Sequence, residues 1–507
     1  MTEIVAICVT DAKANCVVAG GDPKTITITE VTLIPIPFCN NSIRVCVKCV
    51  SDLLIGNLSA NITQRESTGI SERSDLNWSP VAHGFIAPLL PIEGYKDNIN
   101  IMNYRPHIDA NRQWILSELD LKLMALGCYV LGCAGGGSTY TEYLQLRNMS
   151  RAGHVFRVAE SSALSATDVV LYGGYMGSPA VSVERTSADE FMDATKELLQ
   201  FLGLTKYSAV MGLEIGGGNG LQAFFAGSSK RLDVPCLDAD WMGRAFPTYY
   251  QTTLCVHKRG ELAPAAISSG DGRAMIMTKA SDDKVVDVAL RAACSEMGSR
   301  VGMAGKPVSG LDVQNYAVMN TVSLAWRIGR VIQHCQQTSS LCHVAEMIID
   351  EVGGSGAAKK LYCGKIISVE NKLYKGHNYG SITIEAANEA QDGVPLPFKT
   401  DGVLYIPYKN ESILAEYENP QGLKTVLATV PDLICVVDAN SGEALGVPEF
   451  RYGLRVIVLG ITASPRWTST SEGLALGGPS AFGYDIDYQP LGIYETPRSV
   501  IEEFAPV

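Results

Sequence analysis

At 507 residues the chain exceeds what one hydrophobic core ordinarily serves, so two or three domains are expected. It is 46% hydrophobic and 19% charged, the make-up of a densely packed globular protein. A formal net charge of −12, with no Lys/Arg run longer than two, argues against nucleic acid or an anionic membrane surface as the main partner. No apolar run reaches the roughly 18 residues of a transmembrane helix, and the opening MTEIVAICVTDAKANC lacks the basic start and apolar stretch of a signal peptide. A cytoplasmic protein is therefore expected. Its 14 cysteines are scattered and read as reduced, mostly buried thiols. Cys46 and Cys49 of CVKC have metal or redox spacing without a second pair, and the group His334, Cys335, Cys342 and His343 ends a helical pattern; packing is the preferred reading of both.

In chain order, residues 1–55 alternate in the manner of strands, as in TITITEVTLIPIPF and IRVCVKCVSDLL. From 56 to 108 the periodicity dissolves, which predicts a linker or a wrapping loop that proteases cut first. Ser117 opens an amphipathic helix that CAGGGSTY breaks, and a second helix starts at Thr141. The segment DVVLYGGYMG reads as a strand, Ser187 and Glu190 as a capping box for the next helix, and YSAVMGLEIGGG as a strand ending at Glu214. A helix over 221–226, a strand over 234–237, a strand in TLCVHKRG and helices over 281–299 and 311–336 follow. Beyond residue 361 short alternating strands take over, separated by Gly and Pro. The expected division is a β-rich segment 1–55, a linker 56–108, an α/β domain 109–355 with a parallel sheet, and a barrel-like β domain 356–507.

Ligands of a parallel sheet gather beyond the carboxyl ends of its strands, where Glu214, Asn219, Asp238 and Asp240 fall. Asp238 and Asp240 lie two apart on a strand and should face one way, which is costly unless water, a cation or an arginine meets them. An exposed acidic rim is the plainer alternative. Gly135, Gly136 and Gly137, like Gly216, Gly217 and Gly218, let a backbone approach closely and bare N–H groups suited to an anion or a polarised carbonyl, although a tight turn explains them equally well.

The segments ALGCYVLGCAGGGSTY, EIGGGNGL, PCLDADWMGRAFP, VPDLICVVDANSGEALG, FRYGLRVIVLG and GPSAFGYD occur in this order. Together they resemble the S-methyl thiohydantoin desulfurase-like family over residues 116–491. Cys133-Ala134 departs from the Gly-Thr-Gly expected ahead of the glycines. The resemblance implies an α/β sandwich domain followed by a β-barrel domain. EVTLIPIPF and RVCVKCVSDL resemble the closing strands of hydantoinase A/oxoprolinase enzymes, without their nucleotide-binding parts; no nucleotide is expected, and ATP-dependent ring opening is not expected either.

What the resemblance implies chemically is hydrolysis at C2 of an S-methyl thiohydantoin, with release of a thiol and formation of a hydantoin. Asp238, Asp240 and Glu214 are the candidates for base and acid, Arg244 for orienting a carbonyl or, equally, for neutralising an acidic neighbour in a structural role, and the two glycine loops with Asn219 for binding a small cyclic substrate. A divalent metal at Asp238 and Asp240, with His257 or His377, stays open as the alternative way to activate water. Cys236 reads as core. A homo-oligomer and a hydantoinase/oxoprolinase partner are open as partners. The rival functions are a non-catalytic subunit of such a system and a hydrolase of another cyclic amide.

Overall fold

The computed structural model describes residues 100–178, 181, 189–387 and 394–506, together with the backbone of three strands nearer the N-terminus. Those strands, Thr27–Pro35, Ser42–Ser51 and Leu54–Thr63, form an antiparallel sheet within a unit of their own, Met1–Asp97. The third strand occupies the start of the stretch read as aperiodic. Its ten residues pair with the second strand in unbroken register from Ser51↔Leu54 to Ser42↔Thr63. A backbone ladder satisfies such a segment whatever its side-chain alternation. Residues 64–99, and Ser187 of the expected capping box, lie outside the described residues.

The second unit, Asn98–Val507, contains two sheets. The larger is mixed. Its central strands Val169–Gly177, Ala209–Gly212, Cys236–Asp240 and Arg157–Ala159 run parallel, in that spatial order. Antiparallel strands extend both edges: Arg300–Ala304, Ala265–Ser268 and Ala274–Met277 on one side, Trp114–Ile115 and His107–Ile108 on the other. Parallel pairing is thus confined to the middle, where helical crossovers such as Glu190–Leu202 link the strands. The other sheet is antiparallel and curled into a half-barrel, from Ala358–Tyr374 through Arg455–Ile461. It stays open because its terminal strands, Lys424–Thr429 and Leu433–Asp438, do not pair with each other. Its core gathers Tyr362, Ile366, Ile384, Leu404, Tyr408, Val436 and Val458.

Two further expectations change. TLCVHKRG holds a helix, Thr253–His257, because Thr252 Oγ1 accepts the Cys255 N–H and caps it. The 311–336 pattern is broken at Asn320, whose φ of 59° is left-handed; a short helix Gly310–Tyr316 and the strand Val318–Met319 precede the long helix Thr321–Thr338.

That long helix packs backbone to backbone on Glu118–Leu131. A Cβ on Gly127 would lie 1.7 Å from Ala325 O, and one on Gly329 would lie 1.8 Å from Leu123 O. Asp120, fully buried, ties the pair together: its Oδ2 accepts from Ser117 and Tyr104, its Oδ1 from Trp326 Nε1 at 2.9 Å. Gly127→Ala should therefore destabilise the chain by about 3 kcal/mol, the upper end for an overpacked core. A denaturant melt showing no loss would mean that the helices can separate freely.

Candidate active site

At the carboxyl ends of the central parallel strands lies a cleft of about 150 Å³. The strand Val169–Gly177 brings Tyr175 and Gly177 to it, and the strand Ala209–Gly212 leads directly into Leu213 and Glu214. The turn after Cys236–Asp240 contributes Met242 and Phe246, and Arg291, Arg300, Asn410 and Glu411 close the far wall.

Glu214 is the best-positioned acid. Its Oε1 accepts from Asn219 Nδ2 at 2.6 Å and its Oε2 accepts from the Phe246 N–H at 3.0 Å. Asn219 is itself fixed, because its Oδ1 accepts from Tyr175 N at 2.6 Å and its Nδ2 also donates to Tyr175 O at 3.2 Å. Burial outweighs these donors and pushes the Glu214 carboxyl up to about 8.

Opposite it stands Glu411, on the short strand Glu411–Ser412 of the half-barrel. Burial, and then the charge of Glu214, hold its carboxyl well above the ordinary range, with Arg244 and the Gly136 N–H opposing. Its Oε2 is buried and meets no hydrogen-bond partner among the described residues. Two buried carboxyls in one cleft cannot both ionise freely, so they titrate as a pair. The greater donor support favours charge on Glu214 and the proton on Glu411. A second buried pair lines the same cleft: Arg300 Nη2 stands 3.7 Å from Glu142 Oε1, and the guanidinium lies 4.2 Å from the centre of the Tyr175 ring.

The two glycine loops meet each other rather than only a ligand. Gly218 N donates to Gly137 O at 3.0 Å and Asn219 N to Gly136 O at 3.3 Å, while a Cβ on Gly217 would lie 2.4 Å from Gly136 C. The first loop also binds the half-barrel: Ser412 N donates to Cys133 O at 2.8 Å and Val447 N to Ala134 O at 2.9 Å. Cys133 and Ala134 hold φ of 49° and 79°, so non-glycine residues occupy left-handed positions there. The Cys133 thiol, 4.0 Å from Cys435 Sγ, is drawn down to about 7: burial alone would raise it, but Cys435 and the Arg244 charge prevail.

Of the candidates read from the sequence, Glu214, Asn219, Gly136 and Gly137 line the cleft. Gly135, Gly216 and Gly217 stand behind it, and the N–H groups of Gly135, Gly136 and Gly218 are already taken by Gly132 O, Glu411 and Gly137 O. Asp238 and Asp240 do not line it, and the protein itself meets both oxygens of Asp238 and Oδ2 of Asp240, while Asp240 Oδ1 is buried without a hydrogen-bond partner among the described residues. Asp238 accepts from Ser323 N at 2.9 Å and from the Ser323 hydroxyl, capping the helix Thr321–Thr338, whose own Asn320 makes no side-chain cap. Asp240 Oδ2 accepts from the N–H groups of Ile215, Met242 and Gly243 at 3.0, 2.9 and 2.8 Å, so it shapes the turn behind Glu214. Burial raises both carboxyls, Asp238 to about 6 and Asp240 to about 7.

Arg244 is buried and donates to three carbonyls, of Ala245, Asp432 and Ser412, bracing the half-barrel instead of a substrate. His257 stacks on Tyr316, and His377 Nδ1 lies 3.3 Å from Asn410 Nδ2, so the metal candidates Asp238, Asp240, His257 and His377 each serve a different neighbour. Among the described residues no group of three His, Cys, Asp or Glu side chains is placed to hold a metal ion. Nor is any helix among them long and apolar enough to cross a membrane. Glu411, Arg291, Arg300 and Glu142 also line the cleft, and the sequence reading did not single them out. Asn410, left-handed at φ 60°, marks the turn that delivers Glu411, and an Asn between two strand patterns is a signal that could have found it.

Asp238→Ala should remove the helix's acceptor and cost about 1–2 kcal/mol, the upper range for a lost cap, while leaving turnover in place. Thermal melts together with activity check this; a large fall in turnover without a fall in stability would return Asp238 to the chemistry.

A family model described as the S-Me-THD-like N-terminal domain matches residues 119–279, and the model of the C-terminal domain matches 281–491. A crystal structure of a protein from Chromobacterium violaceum superposes with a TM-score of 0.59 at 22% identity, covering 75% of this chain and 100% of the other, which shows a shared fold. No curated protein matches the chain.

Proposed function

The chain belongs to the S-Me-THD-like family, and on that premise we propose that it is a hydrolase releasing a thiol from C2 of an S-methyl thiohydantoin. The observation that carries this reading is the Glu214–Glu411 pair, two desolvated carboxyls sharing one cleft. C2 of such a ring lies between two nitrogens and bears sulfur, so it accepts water once a ring nitrogen is protonated. Glu214, ionised, takes a proton from the attacking water as the C–O bond forms. Glu411, protonated, donates its proton to the ring nitrogen of the breaking C=N bond. In the collapse the new hydroxyl returns a proton to Glu411, the C–S bond breaks, and the departing sulfur takes the proton held by Glu214. Hydantoin and thiol leave, and both carboxyls regain their starting states.

Asn219 and the Phe246 N–H hold Glu214 in place through this cycle, and Asp240 supports the turn that carries Phe246. The test is thiol release from S-methyl thiohydantoin, followed with a thiol reagent and with chromatography of the ring product. Hydantoin and free thiol in equal amounts are expected. Ring opening without thiol would instead make the chain a cyclic-amide hydrolase.

A further inference from the structure

Cys133 and Cys435 stand 302 residues apart in the chain, yet their sulfurs lie 4.0 Å apart, and both thiols are free and fully buried. Cys133 opens the first glycine loop. Cys435 sits in the half-barrel strand Leu433–Asp438, which is laddered along its whole length to Arg455–Ile461, from Leu433↔Ile461 to Asp438↔Val456. The two thiols are not alike. Burial opposes a charge on Cys133, but the hydrogen bond with Cys435, the Arg244 guanidinium and the Ile434 N–H draw its thiol down to about 7. On Cys435 that same hydrogen bond and burial hold the proton in place. A thiol near its ionisation point against a protonated partner is the arrangement of an attacking and a resolving cysteine. The backbone of Cys133 also reaches Glu411 by two routes. Its carbonyl accepts the Ser412 N–H at 2.8 Å, and Gly135 lies so close to the Glu411 carboxyl that a Cβ there would meet Oε1 at 1.9 Å. Neither cysteine has a part in the proposed chemistry.

We infer that Cys133 and Cys435 form a redox switch, in which a peroxide as small as hydrogen peroxide joins them in a disulfide that draws the glycine loop off Glu411. This regulates the site read above and rests on that reading for its effect on turnover, though not for the disulfide itself. The Cys133 sulfur attacks one oxygen of the peroxide and the O–O bond breaks. The departing oxygen takes up the proton of the thiol and leaves as water, and Cys133 holds a sulfenic acid. The Cys435 sulfur then attacks that of Cys133; the S–S bond forms, the S–O bond breaks, and the hydroxyl leaves with the Cys435 proton as a second water. Two thiols give up two electrons and one peroxide is reduced, so no other reactant enters. A disulfide holds its sulfurs about 2 Å apart, so from 4.0 Å the pair must close by about as much again. The ladder holds Cys435, so the loop moves and takes the Ser412 backbone and the floor under Glu411 with it. A positioned group displaced by about 1 Å costs on the order of 10²-fold in rate. Burial keeps bulkier oxidants out, and the cleft, whose wall includes Gly136, Gly137 and Glu411, brings a peroxide to the loop.

The experiment treats the full folded chain with hydrogen peroxide, removes the peroxide, and reads linked peptides by mass spectrometry, thiol release from S-methyl thiohydantoin, and hydrogen exchange at the Ser412 and Val447 amides. Oxidation of the exposed Cys342 in the same sample certifies the dose. The expected result is a Cys133–Cys435 link, a fall in turnover of ~100-fold in step with its yield, and faster exchange of both amides, whose bonds to the loop carbonyls the movement breaks. Dithiothreitol should reverse all three. Cys133→Ala and Cys133→Ser should form no link and keep their turnover through the treatment. The inference is overturned if no link forms once Cys342 is oxidised, if the link leaves turnover unchanged, or if the Cys133 variants lose activity as the wild type does. A chain that releases no thiol before oxidation removes the desulfurase alone. In that case the link and the exchange decide the switch, and unchanged exchange in the linked chain overturns it.

Discussion

Glu411→Gln should lower turnover by ~10²- to 10⁴-fold, the contribution of a positioned proton donor, and leave KM within a few-fold. The swap keeps the size of the side chain and, because Glu411 favours its proton, exchanges one neutral group for another; a thermal melt should hardly move. The pH dependence supplies the independent readout. Glu214 must be ionised to act, and its carboxyl is pushed up to about 8, so kcat/KM should climb with pH through that region. Glu411 must keep its proton, and burial together with the Glu214 charge holds its carboxyl well above the ordinary range, so the rate should fall again at more alkaline pH. In Glu411→Gln the alkaline fall should vanish while the climb remains; in Glu214→Gln the climb should vanish. Undiminished turnover in Glu411→Gln would remove the pair from the mechanism.

Gly135→Ala is the second large effect. A Cβ there would lie 1.9 Å from Glu411 Oε1 and 2.4 Å from its Cδ, which no carboxyl in place tolerates. The side chain must swing away, giving up the Gly136 N–H and its position opposite Glu214. Turnover should fall by at least ~100-fold, with a stability loss of about 1–3 kcal/mol from overpacking. The diagnostic is non-additivity: in the Glu411→Gln background, Gly135→Ala should cost little further activity, because both changes remove the same donor. Two independent losses that multiply would mean that the glycine acts through something other than Glu411.

These residues also mark what could be read from the sequence and what could not. Glu214 and Asn219 were legible because they follow a buried apolar strand and precede glycines, and the chain's local grammar places such positions at the mouth of a sheet. Asp238 and Asp240 share that grammar, but their fate was set by groups far along the chain. Ser323, 85 residues away, claims one, and the Ile215 N–H, 25 residues away, helps claim the other. Position at a strand end looked like function, whereas the partners are backbone N–H groups and the Ser323 hydroxyl, which no local pattern records. Glu411 and Arg291 lay hidden for the complementary reason. Apart from the turn residue Asn410, nothing near them in sequence distinguishes them from surface charges; the docking of the half-barrel onto the mixed sheet brings Glu411 to Glu214, and the packing of the helix Asp283–Glu296 on that sheet brings Arg291. The glycine loops were read as places where something comes close, and the something is each other. The sheet's parallel middle followed from the strand–helix alternation, while its antiparallel edges are formed by two-to-five-residue strands too short to show a period.

The first glycine loop hydrogen-bonds three parts of the chain backbone to backbone: its own neighbour at 216–219, Ser412 and Val447. Backbone hydrogen bonds carry no side-chain identity, so the partners are free to change type so long as the path of the chain does not. Drift in this region should therefore be recorded in where insertions are forbidden, not in which residues are exchanged. Among descendants of this chain, the spacing from residue 133 to 137 and from 410 to 412 should stay fixed in length even where letters other than Gly135 and Glu411 differ. The cleft's inheritance lies in its contour lengths.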